Sequence, residues 1–295
     1  MKRRDFLKVA APTAVRPFAL GGFSIRAFGR SPIFEALTAQ ANCDDHVLVM
    51  IQLIGGNDGL NTVIPLDQYS AYNNARSNIA VAENQVLKLT NETGLHPQLT
   101  GLQQLYSGGK LTVMQSVGYP TPNFSHFRST DIWQTASEYE EYLSTGWLGR
   151  FLEGEFPNFP TGYPNASMPH PLAIQVGSFI SPSLDGTMAN MGMAFTNPTT
   201  FYNINDYKVP APVPKSRTGD YIEFLRSTGE QINNFATPVK NAATSAANKS
   251  TLWPAANQNV LADQLKIVSL LIAGGLKTKV YIVTLGGFDT HSSQN

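Results

Sequence analysis

The chain has 295 residues, 42% of them apolar and 14% charged, and its 21 basic side chains balance 21 acidic ones. That is enough for one large α/β domain or two small ones, with no field of one sign to draw in nucleic acid or an anionic membrane. The single cysteine, Cys43, excludes an internal disulfide framework and any multi-cysteine zinc or iron–sulfur site. Metal ligands, if any, are then carboxylate, imidazole or hydroxyl groups, which suit zinc, magnesium, calcium or manganese.

The chain opens on Lys2-Arg3-Arg4-Asp5-Phe6-Leu7-Lys8. Paired arginines followed by x-Phe-Leu-Lys resemble the bacterial twin-arginine export signal. The apolar stretch from Val9 to Ile25 is interrupted by Arg16 and Pro17 and is too broken to span a membrane. Residues 1–42 are therefore expected to be a signal and linker, cleaved near Ala39-Gln40-Ala41, and are left out of the fold. The plainer reading is a basic tail. An export signal of this kind implies recognition by the twin-arginine machinery and a periplasmic or extracellular destination.

His46 to Ile54 is a near-continuous apolar run that predicts a strand buried on both faces, as in the middle of a parallel sheet. It runs into Gly55-Gly56-Asn57-Asp58-Gly59-Leu60-Asn61. The glycines permit a sharp turn and close approach of another group. Asp58 thus lies at the carboxyl end of a strand, where open α/β sheets bind ligands. It is a candidate metal ligand, or else an ordinary turn residue. No Gly-Lys-Ser/Thr follows, and the Gly-x-Gly-x-x-Gly spacing is missing, so neither a P-loop nor a dinucleotide fingerprint is present.

Leucines at 95, 99, 102 and 105 predict a helix, stopped by Gly108-Gly109. Lys110 to Gly118 is the next expected strand, which would complete a right-handed parallel crossover. After the turn at Pro122-Asn123 helix propensity rises, so Ser125 falls near a helix N-terminus. Free backbone N–H groups there favour an alkoxide, phosphate or sulfate, and Arg128 could clamp an anion's oxygens. Ser125 or Asn123 could equally be a simple cap.

Residues from about 150 to 255 are rich in Pro, Gly, Asn, Ser and Thr and are expected to form a loop-rich cap over one sheet edge. Within and beside them, 144–152 reads as a short packed helix, Leu172 to Gly177 as a strand, 221–235 as an exposed helix and 241–250 as a soft linker. Leu261, Leu265, Val268 and Ile272 then form a helical stripe ending at Gly274-Gly275. Lys279 to Leu285 is another strand, and it discharges into Gly286-Gly287-Phe288-Asp289-Thr290-His291. In extended chain Asp289 and His291 share one side of the backbone, as two ligands of one metal would. A lone His after a strand is ordinarily no ligand. Acids at two strand ends with a serine near a third make a metal site the favoured reading.

Taken together, Gly55 to Asn61, Leu95-His96-Pro97, Val117 to Pro120, Asn123-Phe124-Ser125-His126-Phe127-Arg128-Ser129, Asp131-Ile132-Trp133, Gly146-Trp147-Leu148-Gly149-Arg150 and Gly286 to His291 resemble DUF1501, a bacterial family named for its domain of unknown function. The pieces run in family order from about residue 46 to the last residue. The resemblance implies an alkaline-phosphatase-like α/β core over 43–295, in a mostly parallel sheet flanked by helices, and kinship with metal-dependent phosphatases and sulfatases. It implies Asp58, Asp289 and His291 as ligands of a divalent metal and Ser125 as both nucleophile and metal-contacting group. The substrate would be a small-molecule or polymer ester of phosphoric or sulfuric acid. Family members continue past the point where this chain stops, with Ser-Glu-Phe-Gly-Arg-like and Asp-His-Gly-like segments. The resemblance therefore implies a core incomplete at the C-terminus, which weighs against hydrolysis by this chain alone. The alternative is an exported binding or structural protein on the same scaffold, without turnover. A third reading, a metal-free esterase using Ser125 and His291, rests on the likeness of Gly56-Asn57-Asp58 to one block of the SGNH esterases. It lacks that group's Gly-Asp-Ser and Asp-x-x-His blocks.

Overall fold

A computed structural model of the protein describes residues 46–200, 213–291 and 294, with the short strands β1 (Phe18–Leu20) and β2 (Phe23–Ile25). The chain divides into two units at His46. In the first, β1 and β2 form an antiparallel pair; the rest of the expected signal lies outside the described residues.

The second unit is built on a four-stranded, all-parallel sheet. Its strands are β3 (Leu48–Leu53), β7 (Ala173–Val176), β8 (Met193–Phe195) and β9 (Val280–Leu285), in the order β3-β9-β7-β8. Alternation along β9 divides the core in two. Tyr281 and Val283 join Ile174, Val176 and the half-buried Val49 on one face, against Phe235, Val239, Ala242, Val268 and Leu271. Val280 and Ile282 join Ala173 and Met50 on the other, against Leu148, Leu152, Leu184 and Met191. Helices α6 (Arg217–Ser245) and α7 (Val260–Ala273) cover the first face. Helix α5 (Trp147–Glu155) covers the second. Coverage of both faces is what lets a parallel sheet carry continuous apolar strands.

Several sequence expectations change here. The run at 46–54 is an edge strand, not a central one: among the described residues β3 pairs with β9 alone, and Leu48, Ile51 and Leu53 remain exposed. The central places go to β9, buried over its first four residues, and to β7, buried throughout, each flanked on both sides. Residues 110–118 form no strand. Their extended run is broken by Ser116 at φ 57°, Met114 and Val117 stay exposed, and Gln115 donates to the Thr93 hydroxyl. Thr93 belongs to a separate antiparallel sheet of β4 (Val63–Pro65), β5 (Leu87–Lys88) and β6 (Thr93–Leu95), so the segment is drawn past that sheet. The expected crossover is thus replaced by this small sheet and helix α3 (Thr100–Ser107).

The stretch 150–255 is not confined to the periphery. It supplies β7, β8 and α6, and Phe235, Val239 and Ala242 of α6 are buried in the core. The expected linker at 241–250 is helical through Ser245, because its alanines are strong helix formers and two of them, Ala242 and Ala243, pack in the core on the sheet. Two short helices after β3, α1 (Gly59–Thr62) and α2 (Tyr69–Ala75), complete the chain's course with α4 (His126–Thr135). Among the described residues no helix is long and apolar enough to cross a membrane.

Candidate metal centre

Because β3 and β9 are parallel neighbours in register Leu48↔Val280 to Leu53↔Leu285, their exit loops leave side by side at the carboxyl edge of the sheet. Gly55 and Asp289 meet there. Gly55 has φ 99°, and a Cβ on it would stand 3.1 Å from the Asp289 Cβ and backbone nitrogen. On Gly56 a Cβ would stand 3.0 Å from Cε1 of His126, the first residue of α4. The two glycines thus bring a third element, the N-terminus of α4, onto the same rim.

The outcome is a compact group. Asp289 Oδ1 lies 3.1 Å from His126 Nε2 and 3.1 Å from His291 Nε2. One ligand atom from each of the three residues lies within 4.8 Å of the others, so the group could hold a metal ion. The imidazole rings stand edge to face, 6.1 Å apart at 80°. Bonds of about 2.0–2.2 Å in a tetrahedron place neighbouring ligand atoms about 3.3–3.6 Å apart. Both N···O separations are within a few tenths of an ångström of that spacing. All three residues are exposed, which leaves the centre open to water and solutes. His291 takes φ 46°, a left-handed conformation that His tolerates better than most residues.

Behind the rim, the strand that delivers Asp289 is held by α7. Its pairing with β7 ends at Ile282, and the Gln264 side chain takes over. Gln264 Nε2 donates to the Thr284 carbonyl at 2.8 Å, and Thr284 N donates to Gln264 Oε1 at 2.9 Å. The amide acts as a one-residue substitute for a neighbouring strand.

Of the residues singled out from sequence, Asp289 and His291 lie together in this group. His126, which in the sequence stands within the Asn123–Ser129 motif and is not among the expected ligands, joins them. Its signal was available: a histidine at the start of a helix that follows a turn. Asp58 is engaged elsewhere. It caps α1 by accepting from Asn61 N at 3.1 Å, forms an ion pair with Arg76 and accepts from Gln294 Nε2 at 3.2 Å. Gln294 also accepts from Thr290, so Asp58 is tied to the β9 loop through side chains. Its charge is answered by a guanidinium, and Asp58 lies outside the three-residue group.

Ser125 is the N-cap residue of α4, yet its hydroxyl makes no capping bond; the turn is held by Asn123 Oδ1, which accepts from Ser125 N at 2.8 Å. Arg128 does not reach for an anion. Its guanidinium pairs with Asp131, donates to the carbonyls of Glu138, Tyr139 and Glu141, and stacks 3.9 Å from the centroid of the Tyr142 ring. It is buried, and it fastens the chain that follows α4.

No protein-family model, curated protein or solved structure matches this chain.

Proposed function

We propose that the chain is an exported, DUF1501-like protein that binds a divalent metal and acts on phosphoric or sulfuric esters outside the cytoplasm. The observation that carries this reading is the His126–Asp289–His291 group at the carboxyl rim of a parallel sheet, next in sequence to a serine free of capping. Two imidazoles and one carboxylate form a donor set suited to zinc or a similar transition ion, since calcium and magnesium prefer oxygen ligands throughout. Three protein ligands leave the fourth position open, as in catalytic rather than structural zinc sites.

A bound ion would supply positive charge to the ester oxygens and to a nearby hydroxyl. Ser125 Oγ would attack phosphorus or sulfur. The ester bond would break as the new bond forms, and the departing oxygen would leave as the alcohol with the serine's proton. Water would then cleave the seryl ester, returning Ser125 and releasing phosphate or sulfate. The backbone N–H groups at the start of α4 favour the negative charge that builds up there.

A second reading, an exported binding protein without turnover, draws on the ion pair that occupies Asp58 and on the exposure of the three ligands. Elemental analysis and assays on p-nitrophenyl phosphate and sulfate separate the two. The hydrolase reading expects stoichiometric metal in wild type, retained metal with lost turnover in Ser125→Ala, and loss of both in His291→Ala. Metal without turnover would favour the binding protein. A folded wild-type chain that takes up no zinc and turns over neither ester would sink the hydrolase and is what a binding or structural protein without turnover expects.

A further inference from the structure

Helix α4 presents His126, Ser129, Thr130 and Trp133 at i, i+3, i+4 and i+7, which puts them on one face. That face stands across from Ile51, Gln52, Leu53 and Gly55 at the end of β3, and together they line an open cleft of about 330 Å³. His126 belongs both to this cleft and to the three-residue group with Asp289 and His291. Gly55, at the same end, is the residue on which Asp289 packs.

We infer that this cleft binds the organic part of the ligand whose anionic head sits on the metal, and that this part is compact and apolar, an aryl or short alkyl group. The inference rests on the metal reading above. Its own support is the lining. Ile51, Leu53 and Trp133, exposed to 46%, 38% and 43%, come together in this lining and form one continuous apolar side of the cleft. The only ionisable side chain in the lining is His126. Gln52, Ser129 and Thr130 make the other side polar but uncharged, so a charged polymer would find no partner of opposite sign there and the apolar side is left for a flat group. A flat apolar group would cover Ile51, Leu53 and Trp133, and the volume lies at the small end of the range for small-molecule sites. The polar flank of Gln52 and Thr130 would orient the bridging oxygen between the two halves of the ligand.

The test uses the full chain and calorimetric titration. Zinc alone is titrated first, into wild type and into His291→Ala. Phenylphosphonate and methylphosphonate are then titrated into the zinc-loaded protein; they share a head group and differ only in the organic part. Wild type should prefer phenylphosphonate by about tenfold, the return for covering one ring. Trp133→Ala should reduce that preference to less than about threefold and leave zinc affinity unchanged. Ile51→Ser, on the opposite wall, should do the same and keeps the test decisive if the tryptophan variant fails to fold. Zinc binding with equal affinity for the two phosphonates, or a preference that survives in a folded variant, overturns the cleft and leaves the metal centre standing. No zinc binding, or zinc binding untouched by His291→Ala, overturns the metal reading and the cleft with it.

Discussion

At the scale of single residues, Tyr281 carries the clearest consequence. Its ring is fully buried in β9, and its hydroxyl, near that of Thr278, forms no well-made hydrogen bond. Burial pushes the phenol up to about 12, with Thr278 acting weakly the other way. In the unfolded chain a phenol titrates near pH 10. Between those values the unfolded state sheds a proton that the folded state keeps, so stability is full below about pH 10 and falls as pH rises through about 12. Near pH 11, midway between the two values, Tyr281→Phe is expected to remove about 1–2 kcal/mol of alkaline loss, and to cost under about 1 kcal/mol at neutral pH. Urea unfolding at neutral pH and near pH 11 measures both; an equal alkaline loss in the variant would assign it to other groups. Gly55 makes a different demand. Its φ of 99° and the nearness of Asp289 both resist a side chain, so Gly55→Ala should cost about 1–3 kcal/mol and weaken zinc binding at least tenfold. Gly56→Ala has only the His126 ring edge to displace and should cost less. Denaturation and zinc titration of the pair rank them.

At the scale of elements, the Gly-Trp-Leu-Gly-Arg motif is explained by packing. A Cβ on Gly146 would lie 2.2 Å from the Pro182 carbonyl oxygen, and one on Gly149 would lie 2.1 Å from that of Asp185. Those neighbours are backbone and cannot swing aside. The two glycines therefore let α5 lie directly on the 182–186 segment, while Leu148 and Leu152 fill the core and Arg150 donates to the Thr135 and Thr145 carbonyls. Gly149→Ala should cost about 3 kcal/mol or more. Gly154→Ala, in the same helix with open space around it, should stabilise by up to about 1 kcal/mol. Thermal melts of the two variants check the contrast. Helix α5 was legible from its glycines and apolar spacing. Residues 110–118 have a strand's composition without forming one, because β-branched and apolar residues mark a strand without naming its partner, and none is taken among the described residues.

At the scale of the whole molecule, the three residues that could hold an ion come from a helix start near the middle of the chain and from the loop after β9. Zinc bound there, as proposed, would tie α4 to β9 and should stabilise the fold as a unit. At a hundredfold excess over the dissociation constant the gain is about 2.7 kcal/mol, a rise in melting temperature of a few degrees for a domain of this size. Melts with zinc and with EDTA should show that shift in wild type and lose it in His291→Ala. The shift should also shrink on acidification, since imidazoles must be unprotonated to ligate. A shift that persists in His291→Ala would locate the binding elsewhere.

The apolar runs, the helical stripe of α7, the two strand-then-glycine loops and the pairing of Asp289 with His291 are all properties of neighbouring residues, and local pattern was enough to find them. Which strand lies beside which is not local. Only the assembled sheet put β3 against β9, set Asp289 on Gly55 and His126 on Gly56, and so made His126 the third member of the group. The same assembly gave Asp58 to Arg76 and Arg128 to the carbonyls behind α4. A charged side chain goes to whichever opposite charge or carbonyl the fold brings within reach, and that distance is written nowhere in the order of the residues.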